Sequence, residues 1–121
     1  MELLDSCWGW MGEHVDVEKS GEWVVATLPY VFVLNKSKRH KVYIKKDNGK
    51  WQFSDRGRVV GKRASSKIKK QSVQEKVDFF GFNLLNNTLC CEIEFGKRAT
   101  IRLNIFMEAM LRIDSLLSEW V

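Results

Sequence analysis

VYIKKDNGKWQFSDRG, residues 42–57, is the stretch that decides the fold. Tyr43 and Ile44 before the break, and Trp51 and Phe53 after it, carry side chains that favour extended backbone, while Asp47-Asn48-Gly49-Lys50 supplies the break. Asn and Gly enter the positive-φ region at little steric cost, so this pair between two such runs predicts a β-hairpin. Ser54-Asp55-Arg56-Gly57 closes the second strand: a short polar side chain and a glycine let the backbone turn away from the sheet.

Upstream of the hairpin, Trp23–Leu28 reads as a strand that Pro29, the one proline, ends or places at an edge, because proline has no N–H to give to a ladder. Tyr30–Leu34 is a second apolar run, either a continuing strand or a loop that drops side chains into the core. Asn35–Lys41 is polar and basic and reads as the turn into the hairpin. Further back, Leu3, Leu4, Cys7, Trp8, Met11 and Val15 fall at helical spacing and predict an N-terminal helix over residues 2–15. Gly9 and Gly12 each weaken that helix by about 1 kcal/mol, so it depends on docking its apolar face on the sheet.

Downstream, Arg58–Lys70 is rich in Gly, Ser and Lys and reads as a mobile, solvated connection that closes at Ser65 or Ser66 as a helix N-cap. The helix that follows turns Ile68, Val73, Val77 and Phe80 inward and stops at Gly81, where a left-handed residue is wanted. Leu84–Asn87 turns the chain into a strand in which Leu89, Cys91, Ile93 and Phe95 alternate with polar neighbours. Thr100 is placed to cap a final helix whose Leu103, Phe106, Met110, Ile113, Leu117 and Trp120 step by three and four. That stripe is wide enough for a core face, or for a homodimer seam.

With 121 residues and 45% hydrophobic content the chain suits one domain over residues 1–121, with a core that needs no metal or cross-link. The expected fold class is α+β: a small antiparallel sheet organised on the hairpin, packed against the N-terminal helix, the middle helix and the long C-terminal amphipathic helix. No apolar run approaches the roughly 18 residues a membrane span requires. Met1-Glu2-Leu3-Leu4-Asp5 is acidic where a signal peptide would be basic, so a cytoplasmic location without membrane contact is expected. Cys7, Cys90 and Cys91 are odd in number and two are adjacent, which suits buried thiols better than a disulfide framework. With only His14 and His40 beside them and no CxxC spacing, no metal site and no cofactor are expected.

Charge is the informative property. Of a net +5, the segment Lys36–Lys76 holds fifteen Lys or Arg against three acids, a local +12, and the rest of the chain carries −7. Such polarity between segments points to a partner of opposite sign, nucleic acid or an acidic protein surface. The candidate binding residues are Lys36, Lys38 and Arg39 before the first hairpin strand, Lys45 and Lys46 at its end, and Arg56, Arg58, Lys62 and Arg63 after the second. In a hairpin the start of one strand and the end of its partner lie together, so the first and last of these groups can converge. Lys67, Lys69 and Lys70 join them from a helix start, where they oppose the helix dipole at a cost of a few tenths of a kcal/mol each. A bound phosphate would relieve that conflict. Charge reversal at Lys62, Arg63, Lys69 and Lys70 is expected to weaken binding and leave the fold intact.

No triad or phosphate-loop motif accompanies these residues: there is no GxxxxGK[ST] and no GxGxxG, and neither histidine has a motif around it. His40 sits among lysines, whose charge disfavours its protonation. Asp47 and Asp55 flank a hairpin strand and Glu92 and Glu94 share a face of the later one; paired acids on a sheet beside a lysine suit a metal-dependent nuclease, although turn formation accounts for Asp47 and Asp55. Tyr43 and Trp51 offer stacking surfaces for bases, with packing in the core as the plainer role.

Thr27-Leu28-Pro29, the strand ending in Val42-Tyr43-Ile44, Gly49-Lys50-Trp51, Ser54-Asp55-Arg56-Gly57 and a helix closing on Phe80-Gly81-Phe82 together resemble domain of unknown function 1828, from about Trp23 to the C-terminus. That family comprises small proteins of bacteria, archaea and their phages or mobile elements, and it carries no activity to transfer. The chain departs from the family pattern in being basic at Lys36–Lys41, where an acid is usual, and in having Arg56 where a second acid often follows Asp55. The resemblance implies a counter-defence or regulatory binder. The reading is thus a non-catalytic binding module whose basic face engages nucleic acid or a nucleic-acid-handling protein. The alternative is a phage inhibitor of host defence, of the anti-CRISPR type, that acts through protein–protein contact.

Overall fold

The computed structural model describes residues 15–96 and 98–119; the predicted N-terminal helix, with Cys7 and His14, lies outside them apart from Val15, which packs against the core. Six strands form one antiparallel sheet: β1 (Asp16–Ser20), β2 (Trp23–Phe32), β3 (Asn35–Asp47), β4 (Lys50–Ser54), β5 (Asn83–Leu85) and β6 (Thr88–Glu94), in the order β1-β2-β3-β4-β6-β5. Among the described residues two helices, α1 (Lys67–Phe80) and α2 (Arg98–Ser118), join it to give an α+β fold. Among the described residues no helix is long and apolar enough to cross a membrane.

The Asn48-Gly49 hairpin forms as its residues dictate, with φ of 50° and 76° at the two turn positions and Asp47 opposite Lys50. The segment before it differs from expectation. Asn35–Lys41 is strand rather than turn, and the reversal falls two residues earlier, at Val33-Leu34, between the paired Phe32 and Asn35. Pro29 does not end β2 either: the strand runs through it, and the β2–β3 register shifts between Thr27 and Val31. The Arg39 guanidinium donates to Leu28 O at 2.7 Å and Thr27 O at 3.2 Å, which satisfies carbonyls beside the irregular stretch. A long hairpin is the result.

Side chains alternate across the sheet. Ala26, Leu28, His40, Val42, Ile44, Trp51, Phe53, Leu89 and Cys91 are buried, most of them in one layer with Leu103, Phe106, Met107, Met110, Ile113 and Leu117 of α2. The apolar stripe of α2 from Leu103 to Leu117 is therefore taken up by the chain's own core, as the core reading expected; Trp120 lies outside the described residues. The helix begins at Arg98, so Thr100 lies inside it rather than at its cap. Helix α1 is capped as expected, Ser66 Oγ accepting from Lys69 N at 3.1 Å and Gly81 taking φ 77°. Its buried face is narrower than the spacing suggested: Val73 and Val77 are buried, Phe80 is half-buried, and Ile68 is exposed. Phe95, expected to alternate inward, is also exposed.

The segment from Arg58 to Lys70 is the largest departure. Val59, Val60 and Ala64 are fully buried, Gly61–Arg63 forms a 3-10 turn, and Gly61 N donates to Asn87 O at 3.1 Å. A stretch expected to be solvated is part of the core, because its few apolar side chains join the same buried cluster as the sheet and α2.

Candidate functional site: a basic edge built on a buried carboxylate

Asp55 sets the position of the segment that carries Arg56, Arg58 and Arg63. Its Oδ1 accepts from Gly57 N at 2.8 Å and Leu89 N at 2.9 Å, and its Oδ2 from Val59 N at 3.2 Å. Ser54 Oγ takes Arg56 N at 2.9 Å, and Arg56 and Gly57 both adopt positive φ, at 53° and 75°. Burial pushes the Asp55 carboxyl above its usual pKa, while the backbone N–H groups of Gly57, Val59 and Leu89 pull the other way. Its oxygens are occupied in holding the turn, and Asp47 stands apart at the exposed hairpin tip near Gln52. The two acids do not form a joint site, and among the described residues no three of His, Cys, Asp and Glu gather closely enough to hold a metal ion.

The chain turned by Asp55 then meets α2. Asp114, a residue that sequence reasoning passed over because it interrupts an apolar stripe, is buried at the C-terminal part of that helix. Its Oδ1 accepts from Arg63 NH1 at 2.8 Å; its Oδ2 accepts from Val33 N at 3.0 Å and lies 3.1 Å from His40 Nε2. Arg63 also donates to Val59 O, Asp114 O and Ser118 Oγ. One carboxylate thus ties the β2–β3 turn, the inner face of β3 and the 3-10 turn to α2.

His40 is fully buried and its ring stacks on Phe32 with centroids 3.9 Å apart. Burial holds its pKa below the ordinary value, with the charges of Arg63 and Arg58 acting in the same direction and Asp114 opposing. The neutral ring places its proton on Nε2, since a carboxylate can only accept. Protonation is disfavoured as the sequence implied, but the leading cause is desolvation rather than neighbouring lysines.

The basic residues divide among several places. Lys38, Arg58 and Arg63 line one pocket with Phe32, Leu34, Asn35 and Asp114. Lys38 Nζ reaches Arg58 O at 3.5 Å and Arg58 NH2 donates to Arg39 O at 3.2 Å, so the strand-start and post-hairpin groups do meet. Lys36 is exposed two residues along β3 from Lys38, Lys62 is exposed beside Arg63, and Lys67 and Lys70 are exposed at the start of α1 with Lys69 half-buried. Arg39 instead pairs with Asp16 at 2.9 Å and braces the β2 carbonyls. Lys45 and Arg56 lie over the Trp23 ring at 4.9 and 5.5 Å, and Arg56 also faces Tyr43 at 6.0 Å. Lys46 covers Trp51 and Phe95 at the far end of β3, about 26 Å from Lys38 at ~3.3 Å per residue. Trp51 is buried whereas Tyr43 is half-exposed, in edge contact with Trp23, an aromatic that sequence reasoning treated only as strand-forming.

Arg63 also alters the charge-reversal expectation. A carboxylate at that position would face the buried Asp114, so reversal there damages the fold as well as the surface.

At the Lys38 pocket positive charge is under-compensated. Burial lowers the Lys38 pKa, the guanidinia of Arg58 and Arg63 lower it further, and Asp114 alone opposes them. Three cations against one carboxylate leave a net +2. Burial pushes the Cys90 and Cys91 thiols up in pKa, which disfavours the thiolate. Compared with protein-family models, curated proteins and solved structures, the chain matches none, and the resemblance to domain of unknown function 1828 rests on its short motifs alone.

Proposed function

We propose that the chain is a non-catalytic binding module whose basic edge, from the β2–β3 turn to the start of α1, takes the phosphate backbone of a nucleic acid. The observation that carries this reading is the Lys38 pocket: one ammonium and two guanidinia lining a single pocket, with one carboxylate already engaged by Arg63, Val33 and His40. Such an arrangement favours an anion, through charge-assisted hydrogen bonds. Lys36, Lys62, Lys67 and Lys70 extend the positive field along the same part of the chain, and all four are exposed. Phosphate contacts of this kind provide affinity with little sequence information.

Electrophoretic mobility shift against labelled single- and double-stranded DNA and RNA across a salt series tests the reading. Binding is expected to weaken steeply with salt, and charge reversal at Lys36, Lys62, Lys67 and Lys70 together to remove it with the melting temperature unchanged. Affinity retained by that variant would discard the basic edge. A partner recovered from lysate only as protein, after nuclease treatment, would replace nucleic acid by an acidic protein surface.

A further inference from the structure

We propose that the Lys38–Arg58–Arg63 pocket binds a terminal phosphate monoester, the phosphorylated end of a nucleic-acid strand, and so makes the basic edge end-selective; this rests on the nucleic-acid reading above. The pocket has a volume of about 180 Å³ and is lined from three parts of the fold: the β2–β3 turn region with Phe32, Leu34, Asn35 and Lys38, the post-hairpin segment with Arg58 and Arg63, and α2 with Asp114.

Two features distinguish it from the rest of the basic surface. The first is an orphan donor. Arg58 Nε is buried without a hydrogen-bond partner among the described residues, while its NH2 is used on Arg39 O. A buried guanidinium N–H left unpaired is costly, and because Nε is shut off from solvent a phosphate oxygen in the pocket pairs with it only if the Arg58 side chain turns outward. The second is the size of the charge. Asp114 does not compete as an acceptor, because Oδ1 is engaged by Arg63 and Oδ2 by His40 and Val33. The net +2 that remains matches a monoester, which carries about −1.5 to −2 at neutral pH and presents three oxygens. An internal phosphodiester carries half that charge and fits the exposed lysines outside. Asn35 adds an amide donor at the rim, its Oδ1 being occupied by Ser37 N and Oγ. Leu34, exposed beside the pocket, offers an apolar surface to the terminal sugar or base.

The test is fluorescence anisotropy of one short labelled single strand prepared with a 5′-phosphate, with a 3′-phosphate and with hydroxyl ends, at fixed ionic strength, with inorganic phosphate and a nucleoside monophosphate as competitors. The expected result is at least about tenfold tighter binding of a phosphorylated end than of the hydroxyl-ended strand. Arg58→Gln and Lys38→Gln should each abolish that preference while weakening the hydroxyl-ended strand only slightly. Circular dichroism and thermal melting establish that both variants are folded; should Arg58→Gln fail, Lys38→Gln decides alone. Equal affinity for all ends would overturn end selection and leave the basic-edge reading standing. Absence of binding by any strand would overturn both. Inorganic phosphate competing as well as the phosphorylated strand would overturn the assignment to a strand end, making free phosphate the ligand of the same chemistry.

Discussion

Replacing Asp114 with asparagine keeps the volume of the side chain and removes its charge, which isolates what the carboxylate does. Asp114 is 2% exposed at its side chain and Arg63 30%, so the pair is buried on one side and partly screened on the other. Breaking a buried ion pair by removing one partner costs about 3–5 kcal/mol, and the screening at Arg63 places this case near 3. The amide cannot serve all three donors: its N–H₂ must face either Arg63 or the Val33 N and His40 Nε2 pair. Against a total stability of roughly 5–15 kcal/mol this is a large fraction. Urea unfolding followed by tryptophan fluorescence reads it directly: with a slope of about 1.5–2 kcal/mol per molar, the midpoint should fall by ~1.5–2 M at an unchanged slope. The double variant Arg63→Met with Asp114→Leu should recover part of the loss, because no charge is left unpaired, but Val33 N and His40 Nε2 would still lack an acceptor. A cost under about 1 kcal/mol for Asp114→Asn would refute the claim that this carboxylate joins the sheet to α2.

His40 makes stability depend on pH. Its folded pKa lies below the ordinary value of 6.5, so its contribution is complete above that pH and is lost as pH falls through it, where the unfolded chain takes up a proton that the folded chain refuses. Denaturation midpoints measured from pH 7 to pH 5 should therefore fall, and His40→Gln, which keeps a donor toward Asp114, should flatten that slope. Asp55→Asn should cost at least about 2 kcal/mol, because three backbone N–H groups share its two oxygens; a variant with wild-type stability would remove Asp55 from the role assigned to it. Gly81→Ala should cost about 1 kcal/mol in thermal melting, since φ is 77° and the added Cβ would lie 3.4 Å from Arg102 NH2.

Local chemistry was legible wherever a short stretch settles its own conformation. Asn48-Gly49 turns because those residues tolerate positive φ, Ser66 and Gly81 cap α1 through their own atoms, and the three-and-four spacing of Leu103, Phe106, Met110, Ile113 and Leu117 marks the buried face of α2. The segmental charge of the chain was equally plain from composition. What tertiary structure decided involves partners distant in the chain. Val33 and Leu34 make a turn although neither favours one, and Val33 N is held by Asp114, 81 residues away. Val59, Val60 and Ala64, sparse within a basic stretch, are buried by surfaces that exist only after the sheet and α2 have met. The same holds for the cations. Lys38, Arg58 and Arg63 converge on one pocket, where they too engage carbonyls and, for Lys38, the Phe32 ring, while Arg39, Lys45, Lys46 and Arg56 are directed to carbonyls and rings elsewhere, because a side chain takes the nearest acceptor or ring that packing brings within reach.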